Sequence, residues 1–134
     1  MTRDRFEPNG ISILIVEDDD DVRELLVEKF RHEGFHVVNA VHGEQGIAAL
    51  EKHQPALILT DIVMPTMGGL DFIRKVRERH KHLPIIAISG MSSSKFEAIS
   101  LGVTHFIDKP FDGRTLSDIV RNLLEMEPPV KKVG

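Results

Sequence analysis

Carboxylate side chains follow two of the apolar runs in this sequence, where they could bind a metal or act as nucleophiles. Glu17 and Asp18 come directly after residues 11–16, and Asp61 comes directly after residues 57–60. Short runs of this kind are typical of strands buried on both faces of a parallel sheet. Ligands of such sheets bind beside the carboxyl ends of the strands, where the loops diverge. Asp61 alone fits a helix cap or a turn equally well, so its interpretation depends on its neighbours in the fold.

Carboxylates that share one crevice repel one another unless a cation neutralises them. Mg²⁺ is the natural candidate, because it takes one or two carboxylates, keeps several waters and accepts phosphate oxygens as further ligands. Ser89 and Lys109 end two other apolar runs, and each can bind an oxygen of a phosphoryl group. Asp61 can act as a carboxylate nucleophile. Together these residue types predict metal-dependent phosphoryl transfer.

The apolar pattern predicts five strands that alternate with five helices. The predicted strands cover residues 11–16, 36–40, 57–60, 85–88 and 104–107. Such alternation implies right-handed crossovers and a parallel sheet with helices on both faces. The economical arrangement is a flavodoxin-like, doubly wound (βα)5 fold of the α/β class, with a parallel five-stranded sheet of order 2-1-3-4-5. Strands 1 and 3 are then neighbours, so the three carboxylates converge, and Ser89 and Lys109 share their rim.

Helical periodicity predicts which apolar side chains face the core. In the first helix these are Val22, Leu25, Leu26 and Phe30. The fourth helix is short, runs over Phe96 and Ile99, and stops at Gly102. The last helix has the clearest pattern, with apolar residues at Leu116, Ile119, Val120, Leu123 and Leu124.

Composition excludes several classes of function. The chain has 134 residues, a formal net charge of -4 and no cysteine, which excludes disulfides, thiolate zinc sites and thiol nucleophiles. The negative charge argues against a nucleic acid partner. The apolar runs are too short to insert in a membrane, and the N-terminus lacks the apolar core of a signal peptide. We therefore expect a cytoplasmic protein with one domain at residues 11–126, a flexible lead-in at 1–10 and a C-terminal stub at 127–134.

Four motifs resemble those of the receiver domain of two-component response regulators. They are Ile-Leu-Ile-Val-Glu17-Asp18-Asp, Thr60-Asp61-Ile-Val-Met64-Pro65-x-Met67-x-Gly69-Leu70, Ile-Ile-Ala-Ile-Ser89-Gly90 and Phe106-Ile-Asp-Lys109-Pro110-Phe111. Each motif alone is weakly specific, but four in this order and spacing are strongly specific. The resemblance covers residues 11–124, which is nearly the whole chain.

The resemblance implies a Mg²⁺ site, with Mn²⁺ expected to substitute. Asp18 looks like the direct metal ligand of the family, together with Asp61. Glu17 resembles the other member of the acidic pair, which usually acts through water. Val63 would offer its backbone carbonyl to the metal.

The resemblance also implies that Asp61 accepts a phosphoryl group from a sensor histidine kinase or a histidine phosphotransfer protein. Ser89 fills the position of the switch hydroxyl, and Lys109 looks like the phosphate-binding lysine. Phe106 matches the aromatic switch, which swings inward when the hydroxyl engages the phosphoryl group; the alternative is a plain core aromatic. By the same resemblance we predict a cis peptide between Lys109 and Pro110.

A receiver domain is not an enzyme in the ordinary sense, because it catalyses only its own phosphorylation and dephosphorylation. Only ten residues follow Leu124, so we expect a single-domain, chemotaxis-regulator-like protein or a phosphorelay intermediate. It would signal by phosphorylation-dependent contact with an unidentified downstream protein, as a monomer or a phosphorylation-dependent dimer. The alternative is a receiver module cut from a longer multidomain regulator.

Two other phosphate-handling classes fit the sequence less well. Haloacid-dehalogenase-type phosphatases also use a strand-end aspartate, but they need a second acid two residues later, where this chain has Val63. P-loop nucleotide binders need a G-x-x-x-x-G-K-[ST] motif, which this sequence does not contain.

The sequence departs from the receiver pattern at three places. Gly68 stands where many receivers have Asp, so the following helix is expected to have a weaker N-cap. The segment that holds the fourth helix is shorter than in the family, which predicts a truncated helix. Val63 and Met91 lie two residues beyond Asp61 and Ser89, where apolar side chains cannot orient a hydrolytic water. We therefore expect a long-lived phosphoryl-aspartate.

Overall fold

The central element of the fold is a five-stranded parallel sheet, in a computed structural model that describes residues 10–63 and 68–126. The strands are β1 Ser12–Val16, β2 His36–Ala40, β3 Leu57–Asp61, β4 Ile85–Ser89 and β5 His105–Asp108. Their spatial order is β2-β1-β3-β4-β5, so the predicted order is confirmed. Apart from Gly10, the predicted lead-in and C-terminal stub lie outside the described residues.

Five helices connect and follow the strands in the described part of the chain. They are α1 Asp20–His32, α2 Gly43–His53, α3 Gly69–Arg79, α4 Lys95–Ser100 and α5 Gly113–Leu123. A 3-10 turn at Ser92–Ser94 precedes α4, which has only 6 residues, so its predicted truncation is confirmed. None of the helices at residues 10–63 and 68–126 has the length and apolar character needed to cross a membrane.

Helices cover both faces of the sheet. Alternate residues of each strand point to opposite faces, so both sets of side chains are buried. Ile13 and Ile15 of β1 face a cluster that includes apolar residues of α1 and α5. Leu14 and Val16 face a second cluster with residues of α2, α3 and α4. This two-sided burial explains why the strands read as nearly continuous apolar runs.

Two helices bury different residues from those that periodicity predicts. Leu25 of α1 is 67% exposed, whereas Leu26, Val27 and Phe30 are buried. The buried stripe of α1 therefore contains Val27 in place of Leu25, whereas Leu26 and Phe30 face the core as predicted. In α4, Phe96 and Ile99 are exposed and only Ala98 is buried, because a helix of less than two turns covers little of the edge strand β5.

Three strands extend one residue further than predicted, so Asp61 and Ser89 are the last residues of β3 and β4. Asp61 pairs with Ile88, and Ser89 pairs with Asp108. Polar side chains mark the end of an apolar pattern, but backbone pairing does not depend on side-chain polarity. Both polar groups are consequently held by strand hydrogen bonds rather than by a loop.

Gly69, at the start of α3, packs directly against the backbone that follows β3. Its N–H donates to the carbonyl of Ile62 at 2.8 Å, and a Cβ at this position would overlap the backbone of Asp61 and Ile62. Gly68 precedes it as the N-cap of α3, where no side-chain capping bond is present among the described residues. A Cβ at Gly68 would meet nothing within 4 Å.

We expect Gly69→Ala to lower the free energy of unfolding by about 1–3 kcal/mol, because the added methyl group forces the backbone beside Asp61 to move. Gly68→Ala is the matched control and should change it by less than about 1 kcal/mol. Urea unfolding followed by far-ultraviolet circular dichroism measures both. Equal stabilities of the two variants would show that the close approach has no energetic consequence.

Candidate functional site

Three carboxylates meet at the carboxyl ends of β1 and β3. Glu17 and Asp18 follow β1 directly, and Asp61 ends β3. These strands are neighbours in register at Val16 and Thr60, which brings together the residues that follow. One oxygen of each carboxylate lies within 4.8 Å of the other two. Glu17 and Asp61 are buried, with 2% and 8% of their surface exposed, whereas Asp18 is half-buried.

Lys109 reaches two of these carboxylates from the edge of the sheet. It follows β5, and its backbone N–H donates to the carbonyl of Ser89 at 2.9 Å. The peptide bond between Lys109 and Pro110 is cis, as predicted. The Nζ atom lies 3.2 Å from Glu17 Oε1 and 3.5 Å from Asp61 Oδ2. One ammonium group therefore serves two buried carboxylates.

The site holds more negative than positive charge. Burial raises the pKa of Glu17, and the hydrogen bond and charge of Asp61 raise it further, to about 8, although Lys109 opposes the rise. Burial lowers the pKa of Lys109, but the charges of Asp61 and Glu17 outweigh this effect, so that the pKa lies above its usual value. Both shifts are the physical signature of carboxylates that are crowded together and partly removed from water.

The donor set fits a hard divalent cation. Carboxylate oxygens are the ligands that Mg²⁺ takes in proteins, usually one or two of them together with waters. Half-buried Asp18 borders solvent, so a metal bound there could keep part of its hydration shell. A divalent ion would also neutralise the charge that Lys109 leaves uncompensated. The acidic pocket is therefore compatible with Mg²⁺ binding.

Ser89 lies on the same rim, but its hydroxyl is engaged by the loop that follows β4. The residue is fully buried. Its Oγ accepts a hydrogen bond from the backbone N–H of Met91 at 3.0 Å and lies 3.5 Å from the Met91 carbonyl oxygen. To donate to an acceptor group on Asp61, the hydroxyl must give up its long contact with the Met91 carbonyl.

Val63 and Met91 flank the site with exposed apolar side chains. Each is 52% exposed. The backbone N–H of Val63 donates to Asp61 Oδ1 at 3.3 Å, which fixes one oxygen of that carboxylate. The next four residues, 64–67, lie outside the described part of the chain.

Phe106 lies in β5, where it pairs with Ala87 of β4. It is half-buried and packs at the margin of the apolar cluster beneath α2, α3 and α4. A fully buried aromatic ring would have little freedom to change its position, whereas a ring at the margin of the core has room to move.

Arg23 is a residue near the site that the motifs do not reveal. Its Nη1 donates to the backbone carbonyl of Glu17 at 2.9 Å, and its Nη2 donates to Asp20 Oδ1 at 2.6 Å. The sequence signal is an arginine three residues after an acid, on the first turn of a helix. That spacing predicts the ion pair with Asp20 but not the bond to the backbone of a candidate metal ligand.

Comparisons of the sequence with known proteins agree on one family. The sequence profile of the response regulator receiver domain matches residues 13–121. Response regulator Rre1 from Synechocystis is 35% identical over 129 residues, which cover 92% of this chain and 56% of that protein. The transcriptional regulatory protein AfsQ1 of Streptomyces coelicolor is 32% identical over 115 residues, or 84% of this chain and 51% of that protein. This chain thus spans about half the length of these curated relatives.

Solved structures show the same likeness. A putative response regulator from Chloroflexus aurantiacus superposes with a TM-score of 0.81 and 31% identity, covering 86% of this chain and 98% of that chain. The response regulator TrrA from Thermotoga maritima, solved in complex with Mg²⁺-BeF, gives a TM-score of 0.79 and 28% identity, covering 84% of this chain and 98% of that one.

We expect Mg²⁺ to stabilise the fold, because it neutralises carboxylates that are brought close together only in the folded state. At about 100 times its Kd, Mg²⁺ should raise the free energy of unfolding by about 2.7 kcal/mol. Asp18→Asn should lose most of this increment, whereas the exposed Asp21→Asn should keep it. The measurement is urea unfolding in EDTA and in rising MgCl₂ at constant ionic strength. An equal response of wild type and Asp18→Asn would contradict the assignment.

Proposed function

Because the chain belongs to the response regulator receiver domain family of two-component systems, we propose that Asp61 is its phosphoacceptor. The observation that carries this proposal is the geometry around Asp61. Its carboxylate is buried at the end of the central strand β3, 3.5 Å from the Lys109 ammonium and within 4.8 Å of two other carboxylates. The proposed donor is a phosphohistidine on a sensor histidine kinase or a histidine phosphotransfer protein.

The proposed reaction transfers a phosphoryl group between two side chains. One oxygen of Asp61 forms a bond to phosphorus while the P–N bond of the phosphohistidine breaks. The electron pair of that bond stays on the ring nitrogen, and a neutral imidazole leaves because the other ring nitrogen carries the proton. The product is an acyl phosphate on Asp61. The N–H of Val63 already fixes Asp61 Oδ1, so the proposed nucleophile is Oδ2, the oxygen that faces Lys109.

We assign the metal ligands of the site as Asp18, Asp61 and the backbone carbonyl of Val63, with Glu17 acting through water. Bound Mg²⁺, or Mn²⁺ in its place, would neutralise charge on the phosphoryl oxygens. Lys109 would contribute a fixed positive charge beside the same oxygens. Its Nζ now lies between Glu17 and Asp61, and a short shift within this cluster would bring it onto the phosphoryl group.

Ser89 and Phe106 form the proposed switch. The phosphoryl group adds about one negative charge and three acceptor oxygens to Asp61. The Ser89 hydroxyl, which now points a long 3.5 Å donor contact at the Met91 carbonyl, donates instead to one of these oxygens, and this change pulls on the loop between β4 and α4. Phe106 then moves inward into the space behind Ser89. This is a population shift, because the phosphoryl group interacts more favourably with one arrangement than with the other.

The signal would leave the domain by contact with another protein. The segments that respond to Ser89 and Phe106 are α4 and β5, and α4 carries the exposed side chains of Phe96 and Ile99. Such a surface could bind a partner protein whether the chain is a chemotaxis-regulator-like single domain, a phosphorelay intermediate or a module of a longer regulator. Its partner is a protein whose affinity differs between the two arrangements.

Intact mass spectrometry tests the phosphoacceptor. After incubation with acetyl phosphate and Mg²⁺, the wild type should gain the mass of one phosphoryl group, because the metal and Lys109 stabilise the transferring group. Asp61→Asn should gain none, and neither protein should react in EDTA. Asp21→Asn, which changes the same charge outside the site, should behave as the wild type. Equal phosphate gain in wild type and Asp61→Asn would reject the proposal.

A second test concerns the lifetime of the phosphoryl-aspartate. We expect slow loss of label after the donor is removed, because Val63 and Met91 offer an attacking water no polar side chain. Val63→Asn should shorten the lifetime by roughly tenfold, a modest effect for a positioned polar group. Leu25→Asn, a like change at an exposed position on α1, is the control. A wild-type lifetime of seconds that Val63→Asn leaves unchanged would disprove the hypothesis.

A further inference from the structure

Arg23 connects the acidic loop after β1 to the first turn of α1. Its Nη1 donates to the Glu17 carbonyl at 2.9 Å and its Nη2 to Asp20 Oδ1 at 2.6 Å. The Arg23 side chain is only 18% exposed, whereas that of Asp20 is 83% exposed. The guanidinium group therefore lies against the loop, with one donor directed at a half-buried backbone group and the other at a solvated carboxylate.

The bond to Glu17 fixes a particular part of the backbone. The Glu17 carbonyl belongs to the peptide that joins Glu17 to Asp18, and a peptide is a rigid plane. Holding this carbonyl fixes the orientation of the plane, and with it the position of the Asp18 Cα atom from which the side chain extends. On the other side, the Glu17 N–H donates to the Ala40 carbonyl at 3.0 Å. Glu17 is thus fixed through both of its backbone polar groups.

The loop needs such a restraint because five consecutive acids follow β1 at residues 17–21, the last two of them in the first turn of α1. Asp19 caps α1 by accepting from the Val22 N–H at 3.0 Å, and Asp20 is neutralised by Arg23. Both contacts tie the outer acids to the helix. The carboxylates of Glu17 and Asp18 remain directed toward Asp61.

We propose that Arg23 is a positioning residue for divalent metal binding at Glu17, Asp18 and Asp61. The inference rests on the function proposed above, since it concerns the same metal site. Arg23 touches none of the three carboxylates in its described contacts; it acts through the Glu17 carbonyl. Arginine suits this role because its planar fork presents separate N–H donors in a fixed geometry, whereas lysine has one compact ammonium.

The loss of the Arg23 charge and the loss of its bond to the Glu17 carbonyl should change the affinity for Mg²⁺ in opposite directions, so the two effects can be measured separately. Removing Arg23 alone makes the loop more negative, which attracts a cation. Losing the bond to the Glu17 carbonyl loosens the site, which weakens binding. The double change Arg23→Gln with Asp20→Asn removes one positive and one negative charge and keeps the formal net charge of -4. Any loss of Mg²⁺ affinity in this variant then results from the lost bond to the Glu17 carbonyl and not from a change in net charge.

A matched control exists on α3. Arg74 Nη1 lies 2.7 Å from Asp71 Oδ1, with the same spacing of three residues, and both side chains are more than half exposed. In the described contacts Arg74 binds no backbone carbonyl of a candidate metal ligand. Arg74→Gln with Asp71→Asn therefore removes an equivalent ion pair away from the loop.

The experiment is a Mg²⁺ titration of ¹⁵N-labelled protein, in which the amide shifts of Glu17 to Asp19 and of Val63 give the Kd. We expect the Arg23/Asp20 double variant to bind Mg²⁺ roughly tenfold more weakly, as is typical when a residue that orients a metal ligand is removed. The Arg74/Asp71 double variant should keep the wild-type Kd within about twofold, since exposed pairs contribute little. Arg23→Lys should give an intermediate Kd, because a compact ammonium keeps the charge but lacks the fixed two-pronged geometry of the guanidinium group.

The outcomes distinguish this inference from the proposed function. If the wild type shows no saturable Mg²⁺ response at these amides, the metal site itself is wrong. If the wild type binds Mg²⁺ and both double variants match it, the role of Arg23 is wrong. Urea unfolding in EDTA distinguishes a purely structural role of Arg23 from a role in metal binding. A double variant that is less stable but keeps the wild-type Kd would also overturn the inference. If the double variant does not fold, the single change Arg23→Gln takes its place, and a Kd equal to or lower than that of the wild type overturns the inference.

Discussion

The candidate site depends on the electrostatic balance between three crowded carboxylates and one ammonium group. Buried charge is tolerated only when it is paired, because removal from water costs several kcal/mol per ion. Lys109 pairs with Glu17 and Asp61 at once, and this is possible only because β5 and its following loop lie on the same rim as β1 and β3. The strand order is therefore a condition of the chemistry. The negative charge that Lys109 leaves uncompensated makes the site compatible with a divalent cation.

The scaffold keeps rigid and adjustable parts separate. β1, β3 and β4 are covered on both faces, and their apolar residues are fully or almost fully buried. These strands carry Glu17, Asp61 and Ser89 at or directly after their last residues. The groups expected to move belong to the loop after β4 and to the edge strand β5, where Phe106 is only half-buried. The proposed phosphoryl transfer thus lies at the centre of the sheet, and the proposed response lies at its edge.

The sequence is sufficient to predict the strands and their order, because apolar runs and their alternation with helices report on burial and topology. The cis peptide at Pro110 follows from the resemblance to the receiver family alone. The sequence is less informative where a short helix meets an edge. Periodicity defines a stripe but not its borders, so Leu25 and Phe96 were assigned to the core although both lie in solvent. Hydrogen bonds that depend on rotamers were not predictable either. The bond from Met91 N–H to Ser89 Oγ and the fork of Arg23 belong to this class.

The short α4 has an energetic consequence for any response of the domain. Ala98 is its single buried side chain, and Phe96 and Ile99 already lie in water. Displacing this segment therefore exposes little additional apolar surface, and the restoring free energy that opposes the movement is small. Segments of this kind open locally at free energies well below that of global unfolding. A weak contact at the rim can then redistribute the conformers of α4 while the sheet beneath it stays in a single state.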